Sequence, residues 1–510
     1  MPVRMAVVAA LLILTEVPWL AHGDSDNHLH GIAFISVTTD DIESSLKFYA
    51  ELLGGMHAQE MSHRFHGDEH YQLFFFKELQ EARERGAEPV GVPNIGYDGT
   101  YEVRVEFVVF DNGLVQLMQF TKREGTGQGS AFSVVEPYTS PAYIAAPHLC
   151  FWVQDDVDFN HYIAQVEARA VELNLTQVKF NRPVEVHSEA ERRAVPEERL
   201  GITFLQGDFS GLSFAYFKGP NGEQLELYRI TQLFRNNVGR HYCRRRAVAT
   251  AFMSGRVDNE YKRAAGVPGK LYGLFQFGTR TDDLWRSVDF YTTVLGAEDL
   301  RQPLQGVNIH GDNVEFMLFQ KELLDADAWQ VAPREVGVAN ISDSGNMRLD
   351  LRFSLFDNYV VETLLYTDGQ RLGDPVFSPR HNHSSAAYPH DMFVAFHLRS
   401  DVDLAAYVDK IERVAEDNGF SELKASRTTQ QKNHFTFTSG PLAGFSYSMF
   451  NGPAGEHVAV VQFNGQAGEK LKRALIQYGA VSTAFPETNP WTTGAMDDFC
   501  RQYESAPVGR

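Results

Sequence analysis

The sequence predicts an α+β fold made of four copies of one module, in which a strand and a helix are followed by about three strands. The first observation behind this prediction is a tandem repeat. The segment Phe34–Gly55 ("FISVTTDDIESSLKFYAELLGG") corresponds to Gln276–Ala297 ("QFGTRTDDLWRSVDFYTTVLGA") at a constant offset, and "FDN" at Phe110 recurs at Phe356. The second is length, because 510 residues are too many for one compact core.

Each half contains two modules, because the pattern of strand, Asp-containing turn and helix occurs twice in each half. It recurs at His148–Glu167 and at Phe393–Val414, where "DVDF" is answered by "DVDL". The turn aspartates stand where a helix N-cap accepts hydrogen bonds from free backbone N–H groups. Apolar residues follow at helical spacing, and alternating strands such as Glu102–Phe110 close each module. The predicted domains are modules 1 and 2 (24–238), a basic linker (239–268), modules 3 and 4 (269–465) and a C-terminal tail (466–510).

The composition is that of an ordinary globular protein. The hydrophobic fraction is 43% and the charged fraction 22%. A formal charge of -20 argues against nucleic-acid and anionic-membrane partners, which need a basic surface. The basic run Arg240–Arg246 lies in the predicted linker, where we expect it to brace acidic neighbours. We therefore expect neither a nucleic acid nor a membrane as a partner.

The N-terminus has the pattern of a secretory signal peptide. Arg4 precedes the apolar run Met5–Leu14, and Ala21–Gly23 then leads into a polar segment. We expect residues 1–23 to be cleaved and the protein to be secreted or retained in the ER lumen, with an uncleaved anchor as the alternative. Three cysteines allow at most one intramolecular disulfide.

The chain resembles the vicinal oxygen chelate (VOC) superfamily, which includes glyoxalase I and extradiol dioxygenases. The resemblance lies in the βαβββ unit, the "FY…LG" end of its helix, and the closing segment Gly219–Leu227 ("GPNGEQLEL"), and it covers roughly residues 30–465. It implies that two modules close around a cavity for a small-molecule substrate, and that the chain is a monomer whose modules form an internal pseudo-dimer. It also implies that metal ligands come from the first and fourth strands of each module.

Only modules 2 and 3 carry metal-binding side chains at the positions that the resemblance gives. The implied ligands are His148, Glu226, Gln276 and Glu362, whereas modules 1 and 4 have Phe34, Gln116, Phe393 and Ala459. If module 1 pairs with module 2 and module 3 with module 4, each cavity receives half a site. If modules 2 and 3 pair, as in fused four-module glyoxalases, one cavity receives all four ligands. This set resembles that of zinc-type glyoxalase I and suits Zn²⁺ first, with Ni, Co, Mn or Fe as alternatives.

The resemblance implies a metal-dependent lyase or isomerase that acts through an enediolate on an α-oxo compound or its thiol adduct. Glu226 and Glu362 would be the catalytic carboxylates, and Arg280 would bind the substrate. Two further positions at which glyoxalase I contacts glutathione carry Tyr366 and Ile144, so the use of glutathione stays open. One alternative is a secreted, non-enzymatic protein that holds an apolar ligand in its metal-free cavity. The other is a VOC-type dioxygenase, which needs two His and one carboxylate.

Overall fold

A computed structural model describes most of the four modules. The described residues are 29–66, 84, 86, 101–122, 147–153, 157–176, 178, 180, 202–203, 213–221, 223–229, 232–245, 247, 271–300, 304–308, 327–332, 347–368, 392–428, 430–480, 484–485 and 500–501. The predicted leader, Ile144 and most of the predicted linker lie outside them.

The described elements follow the predicted module order. Module 1 contains β1 (Leu29–Thr38), α1 (Ile42–Leu46) with a π-helical continuation (Lys47–Leu52), β2 (Met56–His57), a 3₁₀ turn (Gln59–Met61), β3 (His63–His66), β4 (Tyr101–Val109) and β5 (Leu114–Lys122). Module 2 contains β6 (His148–Val153), α2 (Phe159–Glu172), β7 (Ile202–Thr203), β8 (Ser213–Lys218) and β9 (Gln224–Arg229), and α3 (Gln232–Arg244) follows. Module 3 contains β10 (Leu271–Arg280), α4 (Leu284–Asp289) with a π-helical continuation (Phe290–Val294), β11 (Glu298–Asp299), β12 (Leu304–Asn308), β13 (Met347–Leu355) and β14 (Val360–Asp368). Module 4 contains β15 (Phe393–Leu398), α5 (Leu404–Asp417), β16 (Phe435–Thr436), β17 (Phe445–Asn451) and β18 (His457–Phe463), and α6 (Gly465–Tyr478) follows.

The helix of each module begins at a turn aspartate, as predicted. The side chains of these residues accept hydrogen bonds from backbone N–H groups of the first helical turn, which otherwise have no partner. The four N-cap residues are Asp41, Asp158, Asp283 and Asp403.

The strands form two nine-stranded sheets, each built from two modules. In one sheet β6 of module 2 pairs antiparallel with β10 of module 3. In the other, β1 of module 1 pairs antiparallel with β15 of module 4. The arrangement in which the two middle modules meet is therefore confirmed, and the alternative, in which module 1 pairs with module 2 and module 3 with module 4, is excluded.

Aromatic side chains fill the space between modules 1 and 4. The ring of Phe34 lies 5.7 Å from that of Phe107 and 6.0 Å from that of Phe393, measured between centroids. The same buried cluster includes Leu475 of α6 and Phe485 beyond it, so the tail covers this core. This packing works against the alternative in which the metal-free cavity holds an apolar ligand, because the protein's own side chains occupy it.

Two asparagines from the repeated "FDN" motif tie the sheets together. Asn112 binds both backbone groups of Leu274 on β10, at 2.7 and 2.9 Å. Asn358 binds both backbone groups of Ile32 on β1, at 2.6 and 2.9 Å. Each asparagine thus links a turn of one sheet to a central strand of the other, and both side chains are buried.

Replacing Asn358 by alanine is expected to lower the free energy of unfolding by about 2–4 kcal/mol, because Ile32 would be left with an unsatisfied buried donor and acceptor. Urea unfolding of the full chain measures this loss. The matched control is Asn418→Ala, since Asn418 is exposed and its amide bonds only to a carbonyl of its own helix. Equal midpoints for the two variants would contradict the assigned role.

A disulfide joins Cys243 on α3 to Cys500 in the tail, 257 residues further along the chain. Closing so long a loop restricts the unfolded chain and favours the folded one. The predicted basic linker begins within the last turns of α3. Just after this helix, Arg245 forms an ion pair with Asp357 at 3.1 Å, so this basic residue braces an acidic neighbour as expected. Among the described residues, no helix has the length and apolar character needed to cross a membrane.

Candidate metal centre

The four ligands implied by the sequence resemblance converge at one point between modules 2 and 3. Nε2 of His148 lies 3.3 Å from a carboxylate oxygen of Glu226 and 3.1 Å from one of Glu362. Nε2 of Gln276 lies 3.1 Å from His148 Nε2. It also lies 2.8 Å from Glu226 Oε2 and 2.6 Å from Glu362 Oε2. All four residues are at most 1% exposed.

Strand register explains this convergence. On β6 and β10, the two central strands, the Cα of His148 pairs with that of Gly278, two residues after Gln276. Glu362 on β14 is also in register with Gly278, and Glu226 on β9 is in register with Cys150, two residues after His148. Since side chains two residues apart share a strand face, all four ligands point to one side of the sheet.

Gly278 leaves the space that the imidazole of His148 occupies. A Cβ atom at this glycine would lie 1.9 Å from Cε1 and 2.2 Å from Nε2 of that ring. In the other sheet the repeat position of Gly278 is Ser36, which is in register with Phe393, so this position carries a side chain where no His has to fit. Gly278 therefore contributes to the site by leaving room for His148, although it has no side chain that could bind an ion.

Burial and mutual contact shift the protonation of the site. Burial alone would lower the pKa of His148, but the hydrogen bonds and charges of Glu226 and Glu362 outweigh it and raise the pKa to about 9. Burial raises the pKa of Glu226 to about 7, although contact with His148 opposes this shift. The cluster therefore still holds protons near neutral pH.

The donor set fits a divalent cation. Glu226 Oε1 and Gln276 Oε1 are buried without a hydrogen-bond partner, which is costly for polar oxygen atoms. A half-turn of the Gln276 amide would direct its oxygen into the cluster, since the two ends of an amide have nearly the same shape. Two carboxylates, a neutral imidazole and an amide oxygen are ligands that Zn²⁺ and harder divalent ions accept. The residues that can hold the ion are His148, Glu226 and Glu362, joined by Gln276.

Arg280, the predicted substrate-binding residue, is the last residue of β10 and is 3% exposed. Alternation along the strand puts it on the same face as Gln276 and Gly278. Its contact with a substrate stays a prediction. Tyr366, which takes the place of a glutathione-binding asparagine, lies on β14.

Sequence reasoning missed two neighbours of the ligands. The hydroxyl of Tyr228 donates to Glu362 Oε1 at 3.2 Å. The ring of Tyr216 packs edge-on against His148, with centroids 5.4 Å apart. Tyr228 follows Glu226 by two residues, so strand alternation alone would have placed it in the cavity. Which atom it reaches depends on the module across the cavity, and the sequence of one strand does not contain that information.

Comparisons with known proteins find similar structures but no similar sequence. No family model matches the chain, and no curated protein sequence matches it. Glyoxalase I from Zea mays is 12% identical, with 88% of this chain and 96% of that chain covered and a TM-score of 0.37. A putative dioxygenase from Bacillus subtilis is 11% identical, with coverages of 88% and 91% and a TM-score of 0.39. A Mn(II)-bound glyoxalase from Novosphingobium aromaticivorans is 9% identical, with coverages of 86% and 83% and a TM-score of 0.19.

The topology of the described residues can be compared with the one that the resemblance implies. Four modules with a strand, a helix and further strands pair through their first strands, and each pair forms one continuous sheet. Between modules 2 and 3, the first and fourth strands carry the converging polar side chains. The chain therefore has the fold of the vicinal oxygen chelate superfamily.

Proposed function

We propose that the protein binds one divalent metal ion at His148, Glu226, Gln276 and Glu362, and that it is a glyoxalase-like lyase or isomerase. Its substrate would be an α-oxo compound or the thiol adduct of one. The observation that carries the proposal is the buried cluster itself, in which two carboxylates meet one imidazole and two oxygen atoms lack partners. Zn²⁺ is the first candidate for the ion, and Ni, Co, Mn and Fe are the alternatives.

The chemistry assigned to each side chain follows from its surroundings. A bound divalent ion would supply Lewis acidity, which stabilises negative charge on a substrate oxygen. Glu226 can take the proton from the carbon next to the carbonyl, because it is a carboxylate of the cluster whose Oε1 accepts no hydrogen bond. Glu226 can return this proton to the neighbouring carbon, and Glu362, the second carboxylate within reach, can assist its return. His148 and Gln276 hold the carboxylates in place, and burial excludes water.

The alternatives have less support. A dioxygenase of this fold needs two imidazoles beside a carboxylate, whereas the cluster of described residues holds His148 alone. The binding-protein alternative needs open space between modules 1 and 4. Rings such as those of Phe445 and Phe463, 4.7 Å apart between centroids, fill the core there.

The proposal is tested by metal analysis and an isomerase assay on the purified full chain. We expect about one equivalent of divalent metal per chain. We also expect conversion of the hemithioacetals that methylglyoxal forms with glutathione or with other small thiols, monitored by the thioester product. Absence of bound metal after dialysis against Zn²⁺, Ni²⁺, Co²⁺ and Mn²⁺ would refute the metal site. Stoichiometric metal without turnover, and with no exchange of substrate protons for deuterium, would refute the lyase.

Metal affinity is expected to rise with pH, because the ion displaces protons from His148 and Glu226. Each proton displaced makes the apparent affinity rise by about tenfold per pH unit. With pKa values of about 7 for Glu226 and about 9 for His148, two protons leave below pH 7, one between pH 7 and 9, and none above. Chelator-buffered Zn²⁺ titrations across this range measure the slope. A flat profile between about pH 6 and 9 would contradict it.

The same raised pKa values affect the metal-free protein. The stability from Glu226 is complete below its unfolded pKa of 4.5 and is lost as the pH rises through about 7. The stability from His148 is complete below 6.5 and is lost through about 9. Metal should therefore increase thermal stability most at the alkaline end of the range.

We also propose that the protein acts outside the cytosol, in the ER lumen or after secretion. The disulfide between Cys243 and Cys500 supports this, since such bonds persist in oxidising compartments. Expression in cultured eukaryotic cells, followed by N-terminal sequencing of protein from the medium and the ER, tests it. Retention of Met1 on cytosolic protein would refute both the leader and the location.

A further inference from the structure

The two carboxylates of the metal centre are held differently, although they come from related modules. Glu362 Oε1 accepts a hydrogen bond from the hydroxyl of Tyr228 at 3.2 Å, whereas Glu226 Oε1 has no partner. Tyr228 belongs to β9 of module 2, so this bond crosses the cavity to β14 of module 3. The residue that matches it in module 3, two positions beyond Glu362, is Leu364, which cannot donate.

The ring of Tyr228 is held firmly. Its centroid lies 5.1 Å from that of Phe275 and 5.7 Å from that of Phe214, and the residue is 2% exposed. A buried phenol between two rings has little freedom to turn, so its hydroxyl stays directed at Glu362. The carboxylate of Glu362 therefore has one oxygen bound to Tyr228 and the other in the ligand cluster.

We propose that Tyr228 is a positioning residue that fixes the orientation of Glu362 and so makes the two carboxylates unequal. Glu362 is the fixed ligand. Glu226 has Tyr216 and Cys150 beside it, but its Oε1 accepts no hydrogen bond of normal geometry, so Glu226 is the carboxylate that takes up the substrate proton. This inference rests on the proposed metal site. It adds that the asymmetry comes from one phenol that module 2 supplies and module 3 lacks.

The test is a Co²⁺ titration of the metal-free full chain, with the visible absorption of the bound ion as the readout. Tyr228→Phe keeps the ring and removes only the hydroxyl, and it is expected to weaken Co²⁺ binding by about 10–100-fold and to change the absorption bands. The matched control is Tyr291→Phe. The hydroxyl of Tyr291 donates to Glu456 at 2.6 Å, so this variant also breaks a buried Tyr–Glu bond but away from the site, and it should bind Co²⁺ like the wild type.

A double-mutant cycle identifies the carboxylate through which Tyr228 acts. In a Glu362→Gln background, Tyr228→Phe should change Co²⁺ affinity by less than about twofold, because groups in direct contact do not contribute independently. In a Glu226→Gln background the effect of Tyr228→Phe should persist. If either Gln variant fails to bind Co²⁺, the comparison of Tyr228→Phe with Tyr291→Phe decides alone.

The outcomes separate this inference from the proposed function. A wild-type chain that does not bind Co²⁺ overturns the metal site. A wild-type chain that binds Co²⁺, with a Tyr228→Phe variant of equal affinity and spectrum, overturns the role of Tyr228 and leaves the metal site standing. If the Tyr228→Phe effect persisted in the Glu362→Gln background but not in the Glu226→Gln background, Tyr228 would act through Glu226, and the proposed role would be wrong.

Discussion

Replacing His148 by alanine is expected to lower the affinity for Zn²⁺ or Co²⁺ by more than about 100-fold. Loss of a residue that only supports a ligand already costs about 10–100-fold, and His148 supplies the single imidazole among the four proposed ligands. Isomerase activity should fall below detection, because Glu226 and Glu362 would no longer hold an ion. Equilibrium dialysis with metal analysis measures the first effect, and the hemithioacetal assay measures the second.

The variant also removes the partner of two buried carboxylates. Breaking a buried ion pair on one side costs about 3–5 kcal/mol, unless the carboxylates that remain take up protons. His148→Gln keeps a polar group at this position and serves as the second variant if His148→Ala does not fold. The control is His161→Ala, since His161 is exposed on α2 and lies outside the site. Unchanged metal content in both His148 variants would remove the basis of the proposed centre.

The sequence predicted the site better than it predicted the packing around it. The family resemblance implied His148 and Glu226 as ligands, and their positions could be read from the sequence because the start of a strand and the turn before a strand are local features. His148 and Glu226 meet Gln276 and Glu362 only if modules 2 and 3 pair through their first strands. This pairing depends on contacts between residues that are far apart in the sequence. The family resemblance supplied this choice, and the register between β6 and β10 confirms it.

The remaining features depend on space and direction in three dimensions. The tail after β18 gave no functional pattern, yet Leu471 and Phe485 belong to the buried core between modules 1 and 4. The role of Asn112 and Asn358 was hidden for a similar reason, because a buried asparagine in a turn reads as an ordinary turn residue until the strand across from it is known. Repetition of a motif indicated a shared role, but only the fold identified the partner.

Gly278→Ala is expected to remove metal binding without removing a ligand. Carbon atoms pack at about 3.5 Å or more, whereas the new methyl group would lie 1.9 Å from Cε1 of His148, so the imidazole has to move by about 1.5 Å. Ligand distances tolerate only about 0.2 Å. We therefore expect Co²⁺ affinity to fall by at least about 100-fold, as for loss of His148 itself, with an overpacking cost of about 1–3 kcal/mol in stability.

The repeat provides the matched control for this substitution. Ser36 pairs with Phe393 and Gln116 as Gly278 pairs with His148 and Glu362. Ser36→Gly removes the side chain at the matching position of the other sheet and should leave Co²⁺ binding unchanged. If Gly278→Ala bound Co²⁺ like the wild type, the prediction would be wrong, because the imidazole of His148 would then be able to move and still bind the ion. Loss of binding with the fold intact would mean that His148 can reach the ion only when the position of Gly278 carries no side chain.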